Sequence, residues 1–204
     1  MKKTLVSVLF LAIAGMTTAQ ESTFDTAMKE SISMMDTAKT AQSLSSVAGR
    51  FERLALSESQ RWEPLYFLAY VQTRLSFMEQ DGQKKDQLLD QAQKQITQAQ
   101  QLNGEKSELF ALQALVYQGR IQVSSSRGMT YSQKARDVLE KSLELNPENP
   151  RAHFLMGQNI YYTPKVFGGG AKNAVGNFVT EKKLFEESKT KENVIIRWGA
   201  TSNQ

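Results

Sequence analysis

Cysteine is absent from the 204-residue chain, and histidine occurs once, as His153. Without cysteine the protein can form neither a disulfide framework nor the lipid-modified cysteine of a bacterial lipoprotein. With no cysteine and no second histidine to join His153, a zinc-type metal site is also unexpected. We therefore expect the fold to depend on core packing alone, and we expect no metal and no cofactor.

Long apolar runs are missing as well, except for a short one near the N-terminus. Two lysines precede an apolar stretch over 5–15, and small residues follow it up to Ala19. This order is typical of a secretory signal peptide, with cleavage after Ala19 and Gln20 as the new N-terminus. A membrane anchor is the alternative, but a span needs about 20 apolar residues. We therefore predict a signal peptide at 1–19 and an exported domain at 20–204, periplasmic or secreted, with no transmembrane segment after cleavage.

The charge balance argues against a nucleic-acid partner. The formal net charge of +4 falls to +2 once the two lysines of the signal peptide are removed. A nearly balanced surface offers little attraction to a polyanion, and export makes such a partner less accessible still.

Proline is rare, and the middle of the chain is rich in glutamine, alanine, lysine, glutamate and leucine, which favour helices. Few stretches alternate apolar and polar residues with the period of a strand. The prolines are Pro64, Pro147, Pro150 and Pro164. The sequence therefore predicts an all-α fold.

A spacing of four and then three residues recurs before predicted helix ends. Its clearest members are Ala135, Leu139 and Ser142, followed by Leu145-Asn146-Pro147, and then His153, Met156, Gly157 and Ile160 on the next helix. Small residues at these positions let two helices approach, and the bulky ones fill the space between them. Proline cannot continue a helix, so Pro147 predicts a stop.

The same spacing occurs upstream, where a glycine replaces the proline as the stop signal. Its members are Ala92, Ile96 and Ala99, then Leu102-Asn103-Gly104, then Phe110, Ala114 and Tyr117. Gln113 departs from the pattern at a position that should be apolar. A fainter unit contains Val47, Phe51 and Leu54, then Leu65, Leu68 and Ala69. The predicted helix pairs are 24–58, 62–103, 106–146 and 150–190, with a C-terminal tail at 191–204.

These units resemble the tetratricopeptide consensus, and the chain as a whole resembles exported tetratricopeptide-repeat proteins of the Bacteroidetes type. The resemblance also rests on the leader ending Thr-Ala-Gln and on Asn149-Pro150-Arg151, Tyr162-Thr163-Pro164, Phe167-Gly168-Gly169-Gly170 and Arg197-Trp198-Gly199. It implies a right-handed superhelix of about three to four antiparallel helix pairs and a scaffold with no reaction of its own. A generic helical bundle is the alternative. We expect Trp198 to dock on the last helices as a cap and Ala200–Gln204 to be frayed.

In such a superhelix the concave groove is lined by first-helix side chains that face away from the paired helix. The predicted groove residues are Tyr66, Arg74, Arg151, Phe154, Gln158, Tyr161 and Tyr162. Aromatic residues and arginine are enriched where partners bind. The alternative is that Phe154, Tyr161 and Tyr162 pack beneath the loop that follows them.

That loop contains Phe167, Gly168, Gly169 and Gly170. A glycine-rich turn that opens a helix can offer free backbone N–H groups to an anion. The phosphate-loop pattern also needs a Lys-Ser or Lys-Thr pair after its last glycine, which is missing here. We favour a structural role, in which the glycines allow a sharp turn and Phe167 fills a gap in the core.

Catalytic patterns are weak throughout the chain. Ser188 and Lys189 have a serine–lysine spacing but lie in a charged segment, and His153 takes a packing position. We therefore predict a non-catalytic scaffold or adaptor that binds another envelope protein or a peptide. The alternative is a small-molecule-binding accessory of a transport system that uses a cavity beneath Phe167, and a hydrolase is a distant third. The oligomeric state stays open.

Overall fold

The protein is described by a computed structural model that covers residues 23–188, Ile196 and Trp198. The predicted signal peptide at 1–19 and residues 200–204, for which we predict fraying, lie outside these residues. Within them the chain forms α-helices, two short 3-10 turns and no strand, which confirms the all-α class. The helices are α1 (23–37), α2 (Ala41–Ser57), α3 (Glu63–Met78), α4 (Gly82–Gln101), α5 (Lys106–Val123), α6 (Gly128–Leu145), α7 (Pro150–Tyr162) and α8 (Ala171–Ser188). Across this part of the chain, no helix is both long and apolar enough to cross a membrane.

The helices pack in successive pairs, and the first helices of the last three pairs also contact one another. Helix α5 lies between α3 and α7, while α4, α6 and α8 each pack against the first helix of their own pair. Helix α5 is therefore buried on several sides, whereas α4 and α6 bury one stripe each. This arrangement makes α3, α5 and α7 an inner row with α4, α6 and α8 outside it.

The stripes predicted from the four-and-three spacing lie at the helix contacts. Each of the six side chains is completely buried: Ala92, Ile96 and Ala99 on α4, and Ala135, Leu139 and Ser142 on α6. The fainter upstream unit is also packed, since Val47 and Phe51 are buried and Phe51 stacks on Phe67 of α3 with ring centroids 5.3 Å apart.

The helix ends follow local sequence signals. Asn149 accepts hydrogen bonds from the backbone N–H groups of Arg151 and Ala152, and Pro150 occupies the first turn of α7. These contacts satisfy amides that have no partner inside the helix. At the end of α4, Asn103 takes a left-handed backbone conformation with a φ of 57°, and Gly104 N–H donates to the Ala99 carbonyl at 2.9 Å. The helix ends at the predicted Leu102-Asn103-Gly104 segment, but the left-handed residue is Asn103 and not the glycine.

Gln113, which departs from the repeat pattern, is buried in a reciprocal amide pair with Gln93 of α4. The Gln93 Nε2 donates to Gln113 Oε1 at 2.6 Å, and the Gln113 Nε2 donates to Gln93 Oε1 at 2.5 Å. A buried amide is tolerated when its donor and acceptor are both satisfied. The polar residue therefore joins two helices without an unpaired group.

Gly157 lies at a close contact between α7 and α8. A Cβ at this position would lie 2.7 Å from the ring of Phe178, whereas a Cβ at Gly176 on α8 would meet nothing within 4 Å. Gly157 is therefore required by packing, and Gly176 is not.

We expect Gly157→Val to lower the free energy of unfolding by about 1–3 kcal/mol, because the side chain overpacks the α7–α8 contact. Gly176→Val is the matched control and should change it by less than about 0.5 kcal/mol, since the site is open. Urea unfolding followed by circular dichroism measures both values. Equal effects at the two glycines would show that Phe178 does not restrict Gly157.

Candidate functional site

A buried polar cluster joins the three helices of the inner row where the groove was predicted. Arg151 of α7 forms a bidentate ion pair with Glu108 of α5, through Nε to Oε2 and Nη2 to Oε1, both at 2.7 Å. Tyr66 of α3 donates its hydroxyl to Glu108 Oε2 at 3.0 Å. All three side chains are buried.

Two residues near the C-terminus complete this cluster. The indole N–H of Trp198 donates to the Tyr66 hydroxyl at 2.8 Å, and its ring stacks on Tyr70 with centroids 4.6 Å apart. Arg151 Nη1 donates to the Ile196 carbonyl at 3.1 Å. We call Tyr66, Glu108, Arg151 and Trp198 the inner-face cluster.

The electrostatics of the inner-face cluster favour one protonation state. Burial raises the pKa of Tyr66 well above its usual value, and the charge of Glu108 raises it further. Burial raises the pKa of Tyr70 to about 12. Burial alone would lower the pKa of Arg151, but the attraction and hydrogen bonds of Glu108 outweigh it, so this pKa is raised. Tyr66 is therefore a neutral donor at neutral pH, and Arg151 is a cation.

The structure places four of the predicted groove residues in supporting roles. Tyr66 and Arg151 are covered by Trp198 and Ile196, and Phe154 is buried against Phe178 with ring centroids 6.3 Å apart. Arg74 donates to the carbonyls of Met35 and Ala38 at the end of α1, both at 2.9 Å. These side chains do not line an open groove, because other parts of the same chain cover or engage them.

Trp198 lies elsewhere than predicted. We expected it to cap the last helices, but its hydrogen bond and ring stacking are to Tyr66 and Tyr70 of α3, and the Arg151 guanidinium lies 5.9 Å from its ring. Buried indoles usually find a hydrogen-bond acceptor, and the phenol of Tyr66 supplies one.

Four apolar or aromatic side chains are exposed between the end of α7 and the start of α8. Tyr161, Tyr162, Val166 and Phe167 are 49%, 78%, 85% and 63% exposed, and we call them the aromatic end. The rings of Tyr161 and Tyr162 meet edge to face with centroids 5.0 Å apart. The prediction that Phe167 fills a core gap is wrong, and Tyr161 and Tyr162 are not packed beneath the loop. Gln158, one turn earlier, is half-buried.

The glycine-rich loop is closed by its own hydrogen bonds. The amides of Gly168, Gly169 and Gly170 donate to the carbonyls of Lys165, Pro164 and Ile160 at 3.0, 3.2 and 2.9 Å. Because all three amides have partners within the chain, the loop does not offer the free N–H groups of an anion-binding nest. That alternative is therefore not supported.

Glycine is needed in this loop for geometric reasons. A Cβ at Gly169 would lie 1.8 Å from the Thr163 carbonyl oxygen, and Gly168 has a φ of 82°, which side chains rarely allow. The loop thus folds tightly against the end of α7. The 3-10 turn Lys165–Phe167 stands outward as a result, with Val166 and Phe167 in solvent.

The segment that contains the aromatic end has basic residues and no acidic ones. No acidic residue occurs between Glu148 and Glu181, although this stretch contains lysines at 165 and 172. Both lysines are exposed, and neither forms an ion pair with any residue in the described part of the chain. Lys165 and Lys172 are not among the site residues predicted from the sequence. The absence of acidic residues between Glu148 and Glu181 is the signal that could have connected these lysines with the aromatic end.

The arginines of the α5–α6 connection are neutralised, in contrast to these lysines. Arg120 and Arg127 both donate to Asp86 Oδ1, at 2.6 and 2.7 Å, and Arg120 also pairs with Asp90. The hydrogen bond from Arg127 is the largest effect on Asp86 and lowers the pKa of its carboxyl. This network holds α4 and α5 together and leaves little free charge.

A surface depression lies between α2, α3 and α4. It has a volume of about 380 Å³ and combines leucines with glutamines. Its lining residues are Glu52, Ala55, Leu56, Ser59, Leu65, Leu68, Gln95, Gln98, Gln101 and Leu102, with no lysine or arginine among them. The depression can accept an apolar group but provides no cation for an acidic ligand.

The weak catalytic candidates are engaged in local contacts. The Ser188 hydroxyl donates to the Phe185 carbonyl at 2.8 Å, and Lys189 lies outside the described residues. His153 Nε2 is 2.9 Å from the Pro147 carbonyl oxygen, and its Nδ1 is 3.4 Å from Asn177 Oδ1. In the described region no three His, Asp or Glu side chains cluster closely enough to hold a metal ion.

Comparison with solved structures finds a clear likeness to the HusA haemophore from Porphyromonas gingivalis. The two folds agree with a TM-score of 0.79 and 27% sequence identity, and the match covers 87% of each chain. No protein-family profile matches the chain, and neither does any curated protein sequence. The helical architecture is therefore one that a haemophore uses.

We expect Glu108→Gln to lower the free energy of unfolding by about 3–5 kcal/mol, because Arg151 would remain buried without its carboxylate. Glu30→Gln breaks the exposed pair with Arg50 and should cost less than about 1 kcal/mol. Urea unfolding followed by tryptophan fluorescence compares the two variants. A loss at Glu108 no larger than at Glu30 would contradict a central role for the buried pair.

Proposed function

We propose that the mature protein is a non-catalytic, exported carrier that binds haem or a closely related porphyrin. The observation that carries this proposal is the likeness to a haemophore over 87% of both chains at 27% identity. A match of this extent covers most of the chain rather than a single motif. It supports a small-molecule ligand more strongly than a protein client.

The surface chemistry of the described residues is compatible with such a ligand. Haem has a flat apolar ring and two carboxylates, so it suits a surface that combines aromatic side chains with cations. The aromatic end provides the exposed rings, and Lys165 and Lys172, which are close in the sequence, provide the cations. Export agrees with the proposal, since the signal peptide predicted at 1–19 would deliver the chain out of the cytoplasm.

The protein- or peptide-binding scaffold has less support. A peptide in the concave groove would need access to Tyr66 and Arg151, and these residues are already covered by Trp198 and Ile196. Membership of the tetratricopeptide family remains our proposal for the evolutionary origin of the helix pairs. It is supported by the buried four-and-three stripes on α4 and α6.

Catalysis is not part of this proposal. The inner-face cluster contains a phenol, a carboxylate and a guanidinium, but each group is paired and covered. A reacting site needs a position for substrate atoms beside its acid or base. The cluster provides hydrogen-bonded contacts between helices in place of such a position.

Titration of ferric haem into the purified chain without residues 1–19 should give a saturable change in the Soret band. Quenching of the fluorescence of Trp62 and Trp198 should accompany it, and the two signals should yield the same dissociation constant. An unrelated helical protein without exposed aromatic residues serves as the control for haem aggregation. A Soret change that only scales with total protein, as in the control, would rule out haem as the ligand.

A further inference from the structure

We infer that the aromatic end is the haem-binding surface, with the porphyrin against Tyr162 and Phe167 and its carboxylates at Lys165 and Lys172. This inference rests on the proposed function and adds the site, the orientation of the ligand and the exclusion of histidine as a ligand to the iron.

Aromatic and apolar side chains are exposed at the aromatic end. Tyr162, the last residue of α7, is more than 60% exposed, and so are Val166 and Phe167 of the following loop. The glycine amides of that loop are all hydrogen-bonded within the chain. Clustered exposed apolar side chains in a soluble protein usually mark a binding surface. Because the loop is tightly closed, a ligand can cover these groups with little cost in loop ordering.

The charged part of this surface is the pair of lysines beside these aromatic groups. The side chain of Lys165 runs across Gly170, since a Cβ built there would lie 3.2 Å from Lys165 Cγ. Lys165 therefore extends toward the start of α8, where Lys172 lies in the first turn. Neither lysine pairs with a carboxylate among residues 23–188. Two free ammonium groups complement the two carboxylates of haem.

Histidine ligation of the iron does not fit this surface. His153 lies nine residues before Tyr162 on α7, which corresponds to about 14 Å along the helix axis. Its Nε2 is also engaged with the Pro147 carbonyl oxygen at 2.9 Å. Within the aromatic end, only the phenols of Tyr161 and Tyr162 belong to the groups that ligate haem iron in proteins.

The other two surfaces fit haem less well. The inner-face cluster is closed by Trp198, and both of its charged groups are paired. The depression between α2, α3 and α4 carries Glu52 and no cation, so it would repel the carboxylates of haem. Of these three surfaces in the described part of the chain, the aromatic end with Lys165 and Lys172 is the one that combines exposed rings with unpaired positive charge.

The test compares the haem affinity of a variant in the aromatic end with that of a control variant on α2 and α6. Tyr162→Ala/Phe167→Ala should weaken binding by about tenfold or more, because both ring contacts are lost. Leu56→Ala/Leu145→Ala removes two exposed leucines from α2 and α6, outside the aromatic end, and should change the affinity by less than about twofold. All four substituted side chains are exposed, and circular dichroism checks that each variant is folded.

Charge and ligation are tested separately. Lys165→Glu/Lys172→Glu should weaken binding of haem by about tenfold or more, but should have little effect on haem whose carboxylates are esterified. His153→Ala should retain the affinity and the Soret position of the unmodified protein. A loss of affinity or a Soret shift in His153→Ala would contradict the exclusion of histidine.

The outcomes separate this inference from the proposed function. If the unmodified protein gives no saturable haem binding, the function and the site are both wrong. If it binds haem and Tyr162→Ala/Phe167→Ala binds equally well, the function stands and the aromatic end is not the site. An equal loss for haem and for its ester in the lysine variant would overturn the assigned orientation.

Discussion

The buried ion pair between Glu108 and Arg151 is the interaction on which the inner row of helices depends. Two charges removed from water are tolerated only when their geometry and remaining hydrogen bonds are good. Here the pair is bidentate, Tyr66 donates to the same carboxylate, and Arg151 also reaches the Ile196 carbonyl. One carboxylate on α5 thus connects α3, α7 and the C-terminal residues.

This constraint has a consequence for where a ligand can bind. A helical repeat protein usually offers its concave surface to partners. In this chain Tyr66 and Arg151, which we predict to line that surface, are buried and hydrogen-bonded within the chain, and Trp198 contacts both. Binding is therefore expected at the end of the stack, where the closed glycine loop holds Val166 and Phe167 in solvent.

In the aromatic end, a hydrogen-bonded loop keeps apolar side chains exposed to solvent although no other helix in the described part of the chain packs against them. Gly169 is pressed against the Thr163 carbonyl, and the amides on either side of it bond to carbonyls within the chain. A side chain at Gly169 would open this contact and release the 3-10 turn. The glycines therefore keep Val166 and Phe167 exposed, and their amides are not available to bind an anion.

The sequence alone determined the helical class, the buried stripes of α4 and α6 and the end of α4 at Leu102-Asn103-Gly104, because these depend on contacts a few residues apart. The spacing of Ala92, Ile96 and Ala99 is one example, since helical geometry places all three on one face. The candidate site could be predicted only in part. The predicted groove contains Tyr161 and Tyr162, which are exposed, but also Tyr66 and Arg151, which are buried.

Only the tertiary structure decided that Tyr66 and Arg151 are buried, because their burial depends on residues far away in the chain. Trp198 covers Tyr66 across 132 positions, and no local pattern around either residue encodes their meeting. The exposure of Phe167 is similar, since an aromatic residue beside three glycines is equally compatible with a core plug and with a surface contact. What decides between them is the set of hydrogen bonds that folds the loop back onto α7 and turns the ring outward.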